Sequence, residues 1–219
     1  MKVMKKFCIV FVVWVSLGNF CWAQNNPSKI PADRGFAKTE VLSSSSSQEN
    51  NNSSAVWQAD QSFDSQLGGD VSLGNVSLRP PKEYLLTKLP GPDGTLILTW
   101  RGPVRDDLTF AHLLTTIVAQ SKEDKKSYES KEALRILLSG IEANRNEWSA
   151  SKAEEGKING LNFIRSYWTG VDKTSGMKMK GFVYVIVDNK IIINLSSQDT
   201  LSNVSALKLA EAAVLTCHK

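Results

Sequence analysis

Histidine and cysteine are nearly missing from this sequence: its 219 residues include 2 histidines and 3 cysteines. Zinc sites need several such ligands close together. His112 sits alone in an apolar run, and His218 follows Cys217 directly. Neighbours on an extended strand point to opposite faces, so Cys217 and His218 cannot readily act as nucleophile and base. The chain also has no phosphate-binding glycine loop, nucleophile elbow, calcium loop or zinc-protease helix. No metal and no cofactor is therefore expected.

An excess of charge of one sign is lacking as well. Lysine and arginine number 26 against 22 acids, and Lys2, Lys5 and Lys6 lie in a leader that contains no acid. Without that leader 23 basic residues face 22 acidic ones. A surface so balanced has no electrostatic reason to bind nucleic acid or an anionic membrane.

The leader has the order of a secretory signal. Lys2, Lys5 and Lys6 precede the apolar run Phe7 to Leu17, and Gly18 and Asn19 break that run before Cys21, Trp22 and Ala23. Small residues at Cys21 and Ala23 suit cleavage before Gln24. The run is shorter than the ~20 residues a membrane-spanning helix needs, which favours cleavage over a retained anchor and predicts no membrane insertion afterwards. Phe20 and Gly18 do not suit lipidation of Cys21. Cys8 and Cys21 leave with the signal, so a secreted or periplasmic product keeps Cys217 alone and has no internal disulfide. That thiol is either buried as a small apolar group or free to pair with another chain.

Three regions follow: a signal over 1–23, a spacer and lead-in over 24–75, and a folded domain over 76–219. Ser43 to Ser54 contains no apolar residue, and such a stretch cannot bury enough surface to offset its ordering entropy. Trp57 to Asn75 is ambiguous, with scattered apolar residues around Gly68-Gly69.

From Val76 onward the pattern predicts α+β structure, with an antiparallel sheet of about six strands sandwiched between helices. Lys82 to Leu89 and Thr95 to Arg101 flank Pro90-Gly91-Pro92-Asp93-Gly94 and read as a hairpin. Leu108 to Ala119 reads as a third strand. Ser130 to Arg145 changes to helical spacing, with Leu134, Leu137, Leu138 and Ile141 on one stripe, Ser130 as the cap and Glu132 in the first turn. After a polar link, Asn159 to Trp168 predicts a strand with Leu161, Phe163 and Tyr167 on one side and Ile164 and Trp168 on the other. Gly181 to Val187 and Lys190 to Leu195 form a second hairpin around Asp188-Asn189. Phe182 to Val187 is apolar without alternation, which requires cover on both faces. One cover is the first helix; the other is Ser202 to Leu215, with Ala206, Leu209, Ala210 and Ala213 in a stripe.

This order resembles the PsbP-like α/β sandwich family, which includes extrinsic proteins of photosystem II and a Ran-binding nuclear relative. The resemblance is carried by Asn159-Gly160-Leu161, Trp168, the Gly181 to Leu195 hairpin and a closing helix that runs into Ala213-Val214-Leu215-Thr216-Cys217. It implies an exported, non-catalytic binding or accessory module whose partner is an unknown protein or small ligand.

Among candidate site residues, Arg101, Arg105, Asp106 and Asp107 concentrate charge in one turn, and Arg165 and Trp168 are types that recur in binding hot spots. The competing reading is a small hydrolase-like enzyme with a cleft near Asp106, Asp107 and Arg165.

Overall fold

The computed structural model describes residues 55–91, 94–103, 113–120, 129–188, 191–201 and 204–219. The expected signal, most of the spacer, Arg105, Asp106, Asp107 and His112 lie outside the described residues.

Among the described residues, nine strands make one sheet and two helices cover it. The strands are β1 (Ala55–Val56), β4 (Leu85–Pro90), β5 (Leu96–Arg101), β6 (Leu113–Gln120), β7 (Arg145–Ala150), β8 (Glu154–Ile158), β9 (Leu161–Asp172), β10 (Lys178–Asp188) and β11 (Ile191–Thr200). A separate hairpin joins β2 (Val71–Ser72) to β3 (Ser77–Leu78). The order across the sheet is β1-β8-β9-β10-β11-β6-β5-β4, and β7 continues beside the far half of β9. All pairings in the large sheet are antiparallel except that of β1 with β8. The six strands read from the sequence are present, and β1, β7 and β8 extend them.

The helices are α1 (Ser130–Glu142) and α2 (Val204–Val214). Alternation along β10 divides the core between them. Phe182, Tyr184 and Ile186 face the α2 side with Phe163, Leu195, Ala210, Ala213 and Val214. Val183 and Val185 face α1 with Ala133, Leu134, Ile141, Ile164 and Trp168. Phe182 through Ile186 are thus buried from both sides. The predicted faces of β9 also hold, with Leu161 and Phe163 in the α2-side core, Tyr167 packed against it, and Ile164 and Trp168 on the α1 side.

Three local expectations need correction. Ser130 is the first residue of α1 and not its cap; Glu129 holds the cap position in extended conformation and makes no side-chain cap bond. The polar link is β7 and β8, whose alternating residues are mostly exposed at the flank of β9. Asn159 and Gly160, read as opening a strand, form the tight turn between β8 and β9, with φ of 46° and 83°. Positive φ at both central positions matches the right-handed twist of the flanking strands.

The ambiguous segment packs on the α2 side. Asp60 accepts a bond from the Ser62 N–H at 2.9 Å to start a short 3-10 helix, Gln61–Gln66. Leu67, Leu73, Val76 and Leu78 then enter the core. Ser77 and His218 exchange backbone hydrogen bonds of 2.8 and 3.0 Å, which joins β3 to the end of the chain. Cys217 is buried and unpaired there, and burial pushes its thiol up to about 12.

Candidate functional site: a tyrosine, carboxylate and arginine cluster

Strand parity places Arg165 on the α2 face of β9, between Phe163 and Tyr167 and opposite Tyr184 of β10. A guanidinium on an otherwise apolar face needs partners for its donors. Glu154 of β8 accepts from Arg165 Nε at 2.9 Å, and the Tyr184 hydroxyl accepts from Nη1 at 3.0 Å. The planar group also lies over the Trp57 ring, 4.0 Å from its centroid, and 5.2 Å from that of Tyr167.

Glu211 of α2 completes the cluster. Its Oε1 accepts from the Tyr184 hydroxyl at 2.6 Å and from the Tyr167 hydroxyl; the two hydroxyls are 3.3 Å apart. Burial, reinforced by the Glu211 carboxylate, pushes Tyr184 far above the ordinary tyrosine range and Tyr167 up to about 12. Both phenols therefore remain protonated donors at neutral pH. Each polar group has a specific neighbour, and the arrangement ties β8, β9, β10 and α2 together. It supplies no activated nucleophile.

Trp57 closes the outer side. Its backbone N–H donates to the Lys157 carbonyl at 2.8 Å, which extends the parallel pairing of β1 with β8. Its ring meets Tyr184 edge-on at 5.7 Å and lies so close to Gly156 that an added Cβ there would stand 2.4 Å from the indole. Glycine at 156 is what leaves room for the ring.

No family model matches the chain, and no curated protein does. Among solved structures it is similar to the solution structure of cyanobacterial PsbP (CyanoP) from Synechocystis, with a TM-score of 0.48 and 10% identity over 79% of this chain and 97% of that one. It is similar to LpqN of Mycobacterium tuberculosis, described as involved in cell envelope biogenesis, with a TM-score of 0.46 and 12% identity over 67% and 86% of the two chains. A protein of Bacteroides thetaiotaomicron gives a TM-score of 0.43 and 12% identity over 69% of this chain; 48% of that longer chain is spanned. The α+β layout with a sheet between helices is the one expected from the sequence. These likenesses concern layout and not role.

The other sequence candidates fall elsewhere. Trp168 lies on the opposite face from Arg165, buried, stacked on Trp148 at 5.5 Å and 27°, with the Arg145 guanidinium 5.5 Å from its ring. Arg145 in turn donates to Asp172 at 2.6 Å and to Gln198 at 3.0 Å. Arg165 thus lies over Trp57 and Arg145 over Trp168, so Arg165 and Trp168 share no site. Arg101 ends β5, four strands from β9 or ~19 Å across the sheet, so Arg101 and Arg165 share no site. Among the described residues no three His, Cys, Asp or Glu side chains group as metal ligands.

Sequence reasoning missed Trp57, Glu154, Tyr184 and Glu211. Glu211 carried a signal: it is an acid beside the apolar stripe of α2, one residue after Ala210 and four after Leu207.

The raised tyrosines have a pH consequence. Between pH 10 and about 12 the unfolded chain loses phenolic protons that the folded chain keeps, so stability falls as pH rises through that range. The melting temperature should drop there, and drop less in Tyr184→Phe. Equal slopes in the two proteins would remove Tyr184 from this account.

Proposed function

We propose that this chain is an exported, non-catalytic accessory module that works by protein contact at the β4 edge of its sheet, which no other strand covers among the described residues. The observation that carries this reading is β4. All six of its residues are exposed, including Leu85 at 65%, Leu86 at 39% and Leu89 at 39%. Adjacent apolar side chains left in water along a terminal strand mark a contact surface. The closed network at Arg165 supports a binding role over a hydrolytic one, because its arginine and tyrosines are already engaged with one another and with Glu154 and Glu211. Export rests on the leader, and no helix among the described residues is long and apolar enough to cross a membrane.

Photocrosslinking tests the reading. A photoreactive residue at Leu86 should yield a crosslinked product in cells, whereas the same residue at exposed Lys152, on the loop between β7 and β8, should not. Equal yields at the two positions would refute a dedicated β4 surface. N-terminal sequencing of the exported protein should begin at Gln24.

A further inference from the structure

Asn159-Gly160 is the one Asn-Gly step in the sequence, and both residues are exposed. Such a step is prone to deamidation, because glycine has no side chain to shield its nitrogen from the neighbouring carboxamide. Ile158 pairs with Leu161, so these two residues alone make the turn between β8 and β9. The Gly160 side of that turn is open, with nothing within 4 Å of an added Cβ.

The Asn159 side chain also fastens the far end of the chain. Its Nδ2 donates to the Cys217 carbonyl at 2.9 Å. The N–H of that same peptide unit, on His218, donates to the Ser77 carbonyl at 3.0 Å, and the Ser77 N–H donates back to the His218 carbonyl at 2.8 Å. One peptide unit thus joins the β8–β9 turn to β3.

We infer that Asn159 is a site of spontaneous deamidation, gated by opening of the β8–β9 turn, and that the modified residue no longer holds the end of the chain. In the reaction a base removes the Gly160 amide proton, and the nitrogen attacks Asn159 Cγ. The Cγ–Nδ2 bond breaks, ammonia leaves with a proton, and a five-membered imide forms. Water then opens the imide to aspartate or isoaspartate. The net change is one water taken up and one ammonia lost, with no oxidation or reduction.

The folded turn forbids the attack. Its φ values of 46° and 83° are those of the mirror image of a type I turn, in which ψ of the first central residue is about +30°. The Gly160 nitrogen then stands nearly anti to Asn159 Cβ, whereas closing the imide ring needs the two almost eclipsed. Reaction therefore waits for the turn to open, and its rate follows the open population. Either product carries a carboxylate where Nδ2 donated, so two acceptors face each other at Cys217. Isoaspartate also lengthens the backbone of a two-residue turn by one methylene.

The full chain, kept in mildly alkaline buffer with and without guanidinium chloride, tests the gate through the mass of the peptide that holds residue 159. Its gain of one mass unit should be about tenfold or more slower in native buffer than in denaturant. Equal rates would overturn the gate, and no gain in denaturant would overturn the site. Asn159→Asp supplies the product directly, and Asp-Gly suits the same turn, so the fold is kept. Amide exchange at Ser77 and His218 should rise about tenfold or more in this variant, with exchange at Val183 in β10 unchanged. Asn159→Gly keeps a compatible turn without the side chain and should raise the same two amides. Unaltered exchange in both variants would overturn the fastening.

Discussion

Phe182→Ala is expected to lose about 4 kcal/mol of folding stability, and Ile164→Ala about 3 kcal/mol, the range for emptying a large apolar side chain from a packed core. The two residues lie on opposite faces of the sheet, Phe182 under α2 and Ile164 under α1. Phe182 is fully buried and meets Tyr184 edge-on, with ring centroids 5.6 Å apart. Because sites on separate faces share no side-chain partners, the double variant should lose nearly the sum. Against a domain stability of roughly 5–15 kcal/mol that loss would leave little or no folded protein. Urea unfolding of the three variants measures it. A wild-type midpoint for either single variant would mean that its face is not a load of packed core.

Gly181→Ala should cost about 3 kcal/mol, although it adds only a methyl group. A Cβ at this position would stand 2.4 Å from the Ser197 carbonyl oxygen and 2.6 Å from Trp168 Cζ2. Neither neighbour can yield cheaply. The carbonyl belongs to β11, paired along its length with β10 and β6, and the indole is held between Trp148 and the Arg145 guanidinium. Gly181 faces Trp168 across the β9–β10 ladder, and the ring covers the backbone where a side chain is absent. The midpoint of chemical denaturation should fall with little change in slope. Gly176→Ala makes a useful contrast: φ there is +70° and nothing lies within 4 Å of the added atom, so its smaller cost is backbone strain alone.

The strands legible in advance share a feature. Phe182 to Val187 and the faces of β9 announce themselves through large apolar residues at spacing set by the pleat, and burial on both faces follows from composition alone. β7 and β8 escaped because RNEWSA and EEGKI carry little apolar signal. Their stability comes from hydrogen bonds to β9, a partner that composition does not reveal. The Asn159-Gly160 turn was written plainly, yet a turn is recognised only when both flanking strands are, and one of them reads as polar. The helix stripes were legible for the same reason as β10: α1 buries Leu134 and Ile141 at its predicted spacing, and α2 buries Ala210 and Ala213.

By itself the sequence determined the order along the chain of six strands and two helices, the two-sided burial of β10 and the near balance of charge, all of which depend on local spacing or simple counts. Only the tertiary structure decided that Arg165 belongs with Trp57, Glu154, Tyr184 and Glu211, and that Trp168 belongs with Arg145 and Trp148. It also decided that β4 stands at the sheet's margin with its leucines in water. The physical reason is range. Hydrophobic periodicity is a property of neighbours along the chain, whereas the cluster around Arg165 gathers residues from Trp57 to Glu211, and exposure at an edge depends on which strand the fold places last.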